Sequence, residues 1–426
     1  MGFLSGGKVI VGYDLGNRFS QISFSRSETG EAETLSQVAG QEQYNIPTAL
    51  CKRSGTNQWL YGREALRCAG EEDGILVENL LELALDGEPV IIEGESYEPV
   101  ALLALFFKRS LSLLYQAASA EKISALTITC EVLDRPMALM LGRMVTAAQL
   151  KTERIAFQSY GESYYSYMLR QPEELLVHRS VLLTGRAEGI RAYCMECNRR
   201  TTPKAVLIAE RDFSFRYWER LWEEETPQEL KEAADRELLG IVEEVCGGSP
   251  VESAFLIGEG FDRDWMKESL RSLCRNRRVF QGNNLFSKGA CMGMQERISA
   301  GQAARETVFL GPDKLKANVG MNVLRQGEES YYALLDAGVS WYEAVCETEV
   351  YLKGDNELSL VITPLTGQNG KLAQISLEDF PGGVARLGLR LSMTAESALT
   401  VEIEDLGFGE IRAASGHIWK EKLELF

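Results

Sequence analysis

The chain has 426 residues, which is enough for two or three domains at roughly 150 residues per domain. Hydrophobic residues make up 45% and charged residues 25%, a globular composition that excludes a disordered or fibrous chain. The net charge of −17 repels phosphate backbones and anionic lipids, so we expect neither nucleic acid nor a membrane as a partner.

The distribution of apolar residues and cysteines predicts a cytoplasmic protein. The densest apolar run, residues 101–107, is closed by Lys108 and Arg109, and it is much shorter than the roughly 18 residues that a membrane span requires. No secretory apolar segment follows Lys8. The 9 cysteines are odd in number and scattered along the chain, which argues against a disulfide framework.

The first part of the chain alternates strand and helix patterns. Residues 8–13 form an apolar, β-branched run that is followed by a turn at 14–17. Residues 20–25 alternate polar with apolar side chains, so the two segments predict a hairpin. The pattern then predicts helices over 99–117, 135–150 and 162–169, and strands over 124–129 and 154–157.

The hairpin pattern recurs near residue 180. The predicted elements are strands over 181–183, 190–195, 205–209 and 253–257, a turn over 184–189, and helices over 215–246 and 264–274. Strands that alternate with helices predict an α/β domain. One hairpin in each half suggests an internal duplication.

The character of the sequence changes at about residue 305. Helical periodicity stops, and short alternating strands are separated by glycine-containing turns, as in residues 358–362, 387–393 and 399–403. This spacing is typical of a small all-β sandwich. We therefore predict two domains, residues 1–304 and 305–426.

The end of the first strand carries the clearest chemical signal. A carboxylate and a glycine-bearing turn after a strand can present backbone N–H groups to phosphate and hold a hydrated Mg²⁺ ion. The residues concerned are Gly12, Asp14, Leu15, Gly16, Asn17 and Arg18. The same sequence is also a good hairpin turn, so the motif alone does not decide between these interpretations.

The order of these segments resembles the actin/Hsp70-like ATPase superfamily in its two-domain Hsp70 arrangement. The matching segments, over residues 8–298, are 12–16, 44–50, 59–65, 124–130, 158–163, 254–260 and 288–293. Residues 316–341 and 377–409 are similar to the peptide-binding β-sandwich of Hsp70, whose helical lid has no counterpart here. The resemblance implies an α/β fold with duplicated, ribonuclease H-like lobes, followed by a C-terminal all-β sandwich.

The resemblance also implies a nucleotide site. It makes residues 12–18 the first phosphate loop, with Asp14 as the Mg²⁺ ligand, and it assigns Thr184 and Gly185 to the second phosphate loop. The implied adenosine loop contains Gly258, Glu259 and Gly260. The implied cofactor is ATP or ADP with Mg²⁺.

Three departures from the family pattern argue against an active ATPase. Thr184 stands where active members have the acid that organises Mg²⁺ and the attacking water, and Glu188 is either a displaced acid or an exposed turn residue. The acid of the linking helix is replaced by Gln158 or Ser159, and Glu259 adds a negative charge beside the implied adenine. We expect weak or absent hydrolysis, and nucleotide binding itself stays an open question.

Two functions follow from the resemblance. The first is a pseudo-ATPase scaffold that works through contacts with a protein or peptide partner. The alternative is a nucleotide-responsive, chaperone-like ATPase that binds extended peptides on its C-terminal β domain. The intact Asp14 turn favours the alternative, whereas the three departures favour the scaffold.

Other clusters of reactive side chains are interpreted structurally. Cys194 and Cys197 have the spacing of zinc ligands without a second pair, so we expect buried or half-buried thiols. The tyrosines near residues 160–167 are expected to pack inside the protein rather than stack on bases. A basic island is interpreted as a partner contact or a salt-bridged surface: Arg271, Arg275, Arg277 and Arg278.

Overall fold

The structure is a computed structural model of a mixed α/β protein. It describes residues 7–38, 40–117, 122–186, 189–221, 226–258, 260–261, 263–353, 356–380 and 383–425. The described chain divides into two compact units. The first contains the residues up to Met195 together with Glu210–Ala304, and the second contains Glu196–Ala209 and the residues from Arg305 onward.

The first part of the chain builds one main sheet, two smaller sheets and several helices. Its strands are β1 (Lys8–Leu15), β2 (Phe19–Ser25), β3 (Glu33–Thr34), β4 (Ile46–Pro47), β5 (Leu50–Arg53), β6 (Trp59–Tyr61), β7 (Gly74–Val77), β8 (Val90–Ile92), β9 (Glu95–Tyr97), β10 (Lys122–Cys130) and β11 (Arg154–Ser159). Its helices are α1 (Gly62–Gly70), α2 (Leu80–Asp86), α3 (Pro99–Leu111), α4 (Leu113–Ala117), α5 (Arg135–Ala148) and α6 (Tyr160–Met168), with a 3-10 turn at Glu173–Leu176. The main sheet has the order β11-β10-β1-β2-β3, and β4 also pairs with β2. The two smaller sheets have the orders β6-β5-β7 and β8-β9.

The next part of the chain builds a second sheet. Its strands are β12 (Arg179–Arg186), β13 (Gly189–Asn198), β14 (Lys204–Ser214), β15 (Val251–Ile257) and β16 (Arg278–Gly282). Its helices are α7 (Trp218–Leu221), α8 (Gln228–Cys246), α9 (Glu268–Leu273), α10 (Leu285–Ile298) and α11 (Gln302–Glu306). These strands follow the order β16-β15-β12-β13-β14.

The two sheets share one strand order. In each, the first strand is central, the next two strands in the chain lie on one side, and the last two lie on the other. The last two run parallel to the first: β10 and β11 follow β1, and β15 and β16 follow β12. Helices that connect strands in this way keep the strands parallel, as expected for an α/β unit.

Helix α10 lies against both β1 and α6 at very short distances. A Cβ atom on Gly12 would come within 2.2 Å of the backbone nitrogen of Cys291, and one on Gly289 within 2.0 Å of the carbonyl oxygen of Ser163. Two ion pairs also join α10 to α6 and the residues after it, Glu162–Arg297 at 2.7 Å and Arg170–Glu296 at 2.8 Å. Glycine is therefore required where these backbones meet.

The second unit is built from two antiparallel sheets. Its further strands are β17 (Thr307–Leu310), β18 (Ala317–Arg325), β19 (Glu328–Leu335), β20 (Val345–Lys353), β21 (Glu357–Pro364), β22 (Lys371–Ser376), β23 (Val384–Met393), β24 (Ala398–Asp405) and β25 (Ile418–Glu424), with a 3-10 turn at Trp341–Glu343. The sheets have the orders β19-β18-β21-β22 and β20-β23-β24-β25. Alternate residues of β21, β23 and β24 are buried and contribute to one hydrophobic core, as predicted for residues 358–362, 387–393 and 399–403.

The second unit also contains the end of a long hairpin from the second sheet. Residues Lys204–Leu207 of β14 pair in parallel with Thr307–Leu310 of β17. Ala205 and Leu310 are buried together with Leu365 in a small apolar cluster. The sequence predicts residues 196–209 to lie in the first domain, because their local pattern does not show that β14 pairs with β17.

Several predicted elements differ in length from the observed ones. The predicted helix over 99–117 is divided between α3 and α4, and the predicted turn at 184–189 begins later, because β12 continues to Arg186. The predicted helix over 264–274 begins only at Glu268. Asp235 of α8 accepts hydrogen bonds from the backbone N–H groups of Glu268 and Ser269 and so satisfies the first turn of α9.

None of the helices in the described part of the chain combines the length and the apolar character that a membrane crossing requires.

Candidate functional site

The predicted phosphate-binding end of β1 lies beside a group of charged and aromatic side chains. We call this group the Asp14 cluster, and its members are Asp14, Glu131, Tyr160, Arg186, Arg191 and Asp212. Asp14 lies near the end of β1, and Glu131 follows β10 directly. Arg186, Arg191 and Asp212 come from strands of the second sheet. The cluster therefore joins side chains from both sheets of the first unit.

Asp14 is hydrogen-bonded to Tyr160. The hydroxyl of Tyr160 donates a 2.6 Å bond to Oδ1 of Asp14, whose residue is only 7% exposed. The ring of Tyr160 stacks on Phe286 of α10, with ring centroids 3.8 Å apart and planes 7° from parallel. The carboxylate predicted to hold Mg²⁺ therefore has a firmly positioned partner within the protein.

Two acids of the cluster, the buried Asp14 and the half-buried Glu131, are harder to ionise than usual. Burial raises the pKa of Asp14 from 3.8 to about 7. The hydrogen bond from Tyr160 opposes this rise in pKa, and the negative charge of Glu131 adds to it. Burial also raises the pKa of Glu131, although Arg186 and Arg191 act in the opposite direction. Asp14 therefore changes its charge near neutral pH.

The arginines of the cluster are bound to carboxylates. Arg191 contacts both oxygens of Asp212, with Nε–Oδ1 at 2.7 Å and Nη2–Oδ2 at 2.8 Å. Arg186 connects Asp212 to Glu131 through contacts of 3.0 and 2.7 Å. The bidentate pair holds the pKa of Asp212 below its usual range. Both guanidinium groups are therefore already neutralised by acids of this chain.

The backbone of the predicted first phosphate loop is largely occupied. Gly12 lies under α10, and Leu15 is buried and pairs with Ser20 of β2. The N–H group of Gly16 donates a 3.1 Å hydrogen bond to the carbonyl oxygen of Phe19. These residues form a hairpin turn, the second interpretation that the sequence left open.

The side chains at the tip of this hairpin face other parts of the protein. Asn17 donates from Nδ2 to Oδ1 of Asn79 at 3.3 Å and accepts from the backbone N–H of Glu82 at 3.4 Å. Arg18 is exposed, and its guanidinium lies 4.9 Å from the centre of the Phe19 ring. Asn17 thus connects the turn to α2 and its preceding residue.

The predicted second phosphate loop is covered by a tryptophan. Thr184 is buried within β12, where it pairs with Ile257 of β15. A Cβ atom on Gly185 would lie 2.9 Å from Cζ2 of Trp218, so the indole packs directly on this glycine. Trp218 is 1% exposed, and its Nε1 donates a 2.7 Å hydrogen bond to the carbonyl oxygen of Gly189.

The predicted adenosine loop is also in contact with aromatic residues. Gly258 and Gly260 have φ values of 109° and 97°, which favour glycine. The carbonyl oxygen of Gly260 accepts a 2.7 Å hydrogen bond from Nε1 of Trp265, and the N–H of Gly258 donates to Gly282 at 3.0 Å. Two residues of the sequence interpretation lie outside the described residues: Glu188 and Glu259.

These residues do not fit ATP or ADP with Mg²⁺. Trp218 packs on the backbone of Gly185, where the resemblance implies phosphate, and its ring meets Trp265 with centroids 6.1 Å apart. Tyr160 donates to Oδ1 of Asp14, which is one of the two carboxylate oxygens that would receive a hydrated Mg²⁺ ion. No step of a nucleotide reaction follows from this arrangement.

The remaining sequence interpretations concern packing. Cys194 is buried and Cys197 half-buried, as predicted. Tyr164 and Tyr165 are buried, and the hydroxyl of Tyr164 is hydrogen-bonded to Ser180, which confirms that they pack inside the protein. Within the described ranges, no group of three or more His, Cys, Asp or Glu side chains is arranged to hold a metal ion.

The sequence does not predict Tyr160 and Arg191 of the Asp14 cluster, or Trp218 beside Gly185, as members of a site. The sequence predicts that Tyr160 packs inside the protein, and it predicts no role for Arg191 or Trp218. Arg191 did carry a local signal, because a charged residue between Ile190 and Ala192 interrupts an apolar strand. Trp218 carried none, since its contact with Gly185 joins segments that are distant in the chain.

Comparison with known proteins assigns the chain to families whose function is not known. Residues 31–312 match the C-terminal part of a family of unknown function, DUF5716, and residues 314–425 match a domain of unknown function, DUF8552. No curated protein matches the chain. The first match covers well over half of the sequence, and the chain therefore belongs to the DUF5716 family.

Proposed function

We propose that this protein is a pseudo-ATPase scaffold, which works through contacts with a protein or peptide partner and neither binds nor hydrolyses nucleotide. The observation that carries the proposal is the packing of Trp218 on Gly185 together with the hydrogen bond from Tyr160 to Asp14. Side chains of the protein thereby contact the two residues to which the resemblance assigns phosphate and Mg²⁺, which supports the proposal. Such a unit keeps its fold without the ligand.

The proposal also covers the fold family of the two units. We infer a duplicated actin/Hsp70-like fold with ribonuclease H-like lobes for the first unit and an Hsp70-type sandwich for the second. The shared strand order of the two sheets supports this inference, since a duplication predicts the same order in both halves. The 9 unpaired cysteines fit a reducing, cytoplasmic location.

The charges of the Asp14 cluster also support the proposal. Four acids lie in or beside the cluster: Asp14, Glu131, Glu210 and Asp212. Arg186 and Arg191 offset part of this charge, and both already contact carboxylates. The acids outnumber the arginines at this cluster, so a triphosphate would meet net negative charge there.

The test is isothermal titration of ATP and ADP, each with Mg²⁺, into the purified protein. We expect no binding heat at millimolar nucleotide, and no ATP turnover. The control is Asp14→Ala, checked for folding by circular dichroism. Micromolar binding that Asp14→Ala abolishes would overturn the proposal in favour of the nucleotide-responsive, chaperone-like ATPase, which further requires that ATP changes the affinity for extended peptides.

A further inference from the structure

Strand β16 forms an open edge of the second sheet. It pairs with β15, and within the described residues no strand pairs with its other side. Four of its five residues are exposed, and Val279 is half-buried. Strands that present an unpaired edge can accept a further strand through backbone hydrogen bonds.

The direction of the free backbone groups can be assigned. The carbonyl of Gly282 accepts a hydrogen bond from the N–H of Gly258, directly after β15. Backbone N–H and C=O groups of successive residues in a strand point to opposite sides. The groups of Arg278 and Phe280 therefore face β15, and those of Val279 and Gln281 face the open edge.

Three arginines lie at the start of β16 and in the turn before it, without acidic partners in the described structure. Among the described residues, no carboxylate lies within ion-pair distance of Arg275, Arg277 or Arg278, whereas Arg271 is paired with Glu268. Arg275 and Arg278 are exposed, and Nη1 of Arg277 is buried with no hydrogen-bond partner in the described structure. The three arginines within residues 275–278 therefore form a local positive patch on a chain of net charge −17.

Two acids of β15 and α8 are bound to other cations. Glu252 of β15 contacts His178, and Glu244 of α8 contacts Arg211. These acids do not reach the arginines of the edge, so the positive charge there is available to a partner.

An aromatic row ends at the same edge. Phe280 stacks on Phe255 of β15, with centroids 4.9 Å apart and planes 16° from parallel, and Tyr164 meets Phe255 from the other side. Phe280 is 38% exposed. A side chain on an added strand would continue the row by covering this ring, which favours an aromatic or β-branched residue there.

We propose that the open edge of β16 binds an extended acidic segment of a partner protein as an added strand. The backbone of the segment pairs with Val279 and Gln281, its carboxylates contact Arg275 and Arg278, and an apolar side chain covers Phe280. A second copy of β16 is the poorer occupant, because its residues Arg278–Gly282 include no carboxylate that could pair with these arginines. The proposal goes beyond the scaffold function and does not depend on whether nucleotide binds.

The charge of the partner is tested with fluorescein-labelled octapeptides in which Glu alternates with Val, Thr and Phe. Fluorescence anisotropy with the full chain should show binding at least about tenfold tighter than for peptides with Lys in place of Glu. The double variant Arg275→Glu/Arg278→Glu should reverse this preference. Arg63→Glu/Arg67→Glu on the exposed face of α1 has the same change of net charge and should keep it.

The pairing of the backbone is tested with Val279→Pro, which removes an N–H group that faces the open edge. Proline is tolerated on an edge strand at such a position, so the pairing with β15 should persist. We expect Val279→Pro to weaken binding of the Glu peptide about tenfold, whereas Val279→Ala, with the same loss of side-chain contacts, binds like the wild type.

Three results would overturn the proposal. The first is the absence of binding by the Glu peptides at millimolar concentration. The second is equal binding of Glu and Lys peptides, or an unchanged preference in the Arg275→Glu/Arg278→Glu variant. The third is equal binding by the Val279→Pro and Val279→Ala proteins, each shown to be folded by circular dichroism. None of these outcomes would affect the proposed absence of nucleotide binding.

Discussion

At the scale of single residues, Asp14 shows how a side chain suited to a ligand serves internal structure instead. Its carboxylate is buried and accepts a hydrogen bond from Tyr160, which is stacked on Phe286. Because burial raises the pKa of Asp14 to about 7, folding shifts the charge of this residue toward the neutral form. The stability of the protein must then depend on pH through this one group.

This dependence predicts the behaviour of Asp14→Asn. The folded protein holds the Asp14 proton more tightly than the unfolded chain, so the contribution of Asp14 to stability is complete below about pH 4 and is lost as pH rises through about 7. The free energy of unfolding of the wild type should fall relative to Asp14→Asn by about 2–4 kcal/mol between these limits. Urea titrations of both proteins at about pH 4 and about pH 8 measure the difference.

A pH-independent difference between the two proteins would contradict this prediction. Other acids, Glu131 among them, titrate in both proteins, so the comparison isolates Asp14. Tyr160→Phe is the matched control, because it removes the hydroxyl bond while leaving the ring on Phe286. Without that bond, the loss of stability at high pH should be larger than in the wild type.

At the scale of elements, α10 depends on glycine for its position. It approaches β1 at Gly12 and α6 at Gly289, and at both places a Cβ atom would overlap with backbone atoms of the neighbouring element. The ion pairs Glu162–Arg297 and Arg170–Glu296 act at the same junction. Overlap with backbone cannot be relieved by a rotamer change, so the helix itself would have to move.

We therefore predict that Gly289→Ala destabilises the protein by about 3 kcal/mol or more. Gly240→Ala is the control, since Gly240 lies in α8 with no atom within 4 Å of its Cβ position. There, replacing a helical glycine should stabilise the protein by about 0.5–1 kcal/mol. Chemical denaturation of the two variants and the wild type gives both values, and a loss of less than about 1 kcal/mol in Gly289→Ala would refute the clash.

The elements predicted from sequence are those that local pattern determines. The apolar runs of β1, β10 and β15 and the alternation of β21, β23 and β24 are visible in the sequence, and the structure confirms these strands. The start of α9 was not predictable in this way. It depends on Asp235, whose carboxylate caps a helix more than 30 residues later in the chain.

The candidate site was predicted in part for the same reason. Asp14 and the glycine turn were recognised because strand, acid and glycine are adjacent in sequence. The contacts that decide their role come from elsewhere: Tyr160 reaches Asp14 across 146 positions, and Trp218 covers Gly185 from a later helix. Local sequence shows which groups are present, whereas their partners follow from the tertiary fold.

At the scale of the whole molecule, the contacts divide the chain differently from the sequence. The prediction placed one boundary after residue 304, and the second unit does begin again at Arg305. However, Glu196–Ala209 also belongs to this unit, because β14 pairs there with β17. The match to the DUF5716 family ends at residue 312 and thus includes β17.

The pairing of β14 with β17 predicts that a fragment of residues 1–304 aggregates and that a fragment of residues 1–312 does not. The shorter fragment lacks Thr307–Leu310, so Lys204–Leu207 of β14 loses its partner strand and Ala205 loses the cover of Leu310. An unpaired apolar edge favours association between copies. Size-exclusion chromatography with light scattering should therefore find residues 1–304 largely aggregated and residues 1–312 in a smaller, defined species. Equal aggregation of the two fragments would mean that β17 does not protect the edge of β14, and that the first domain ends at residue 304.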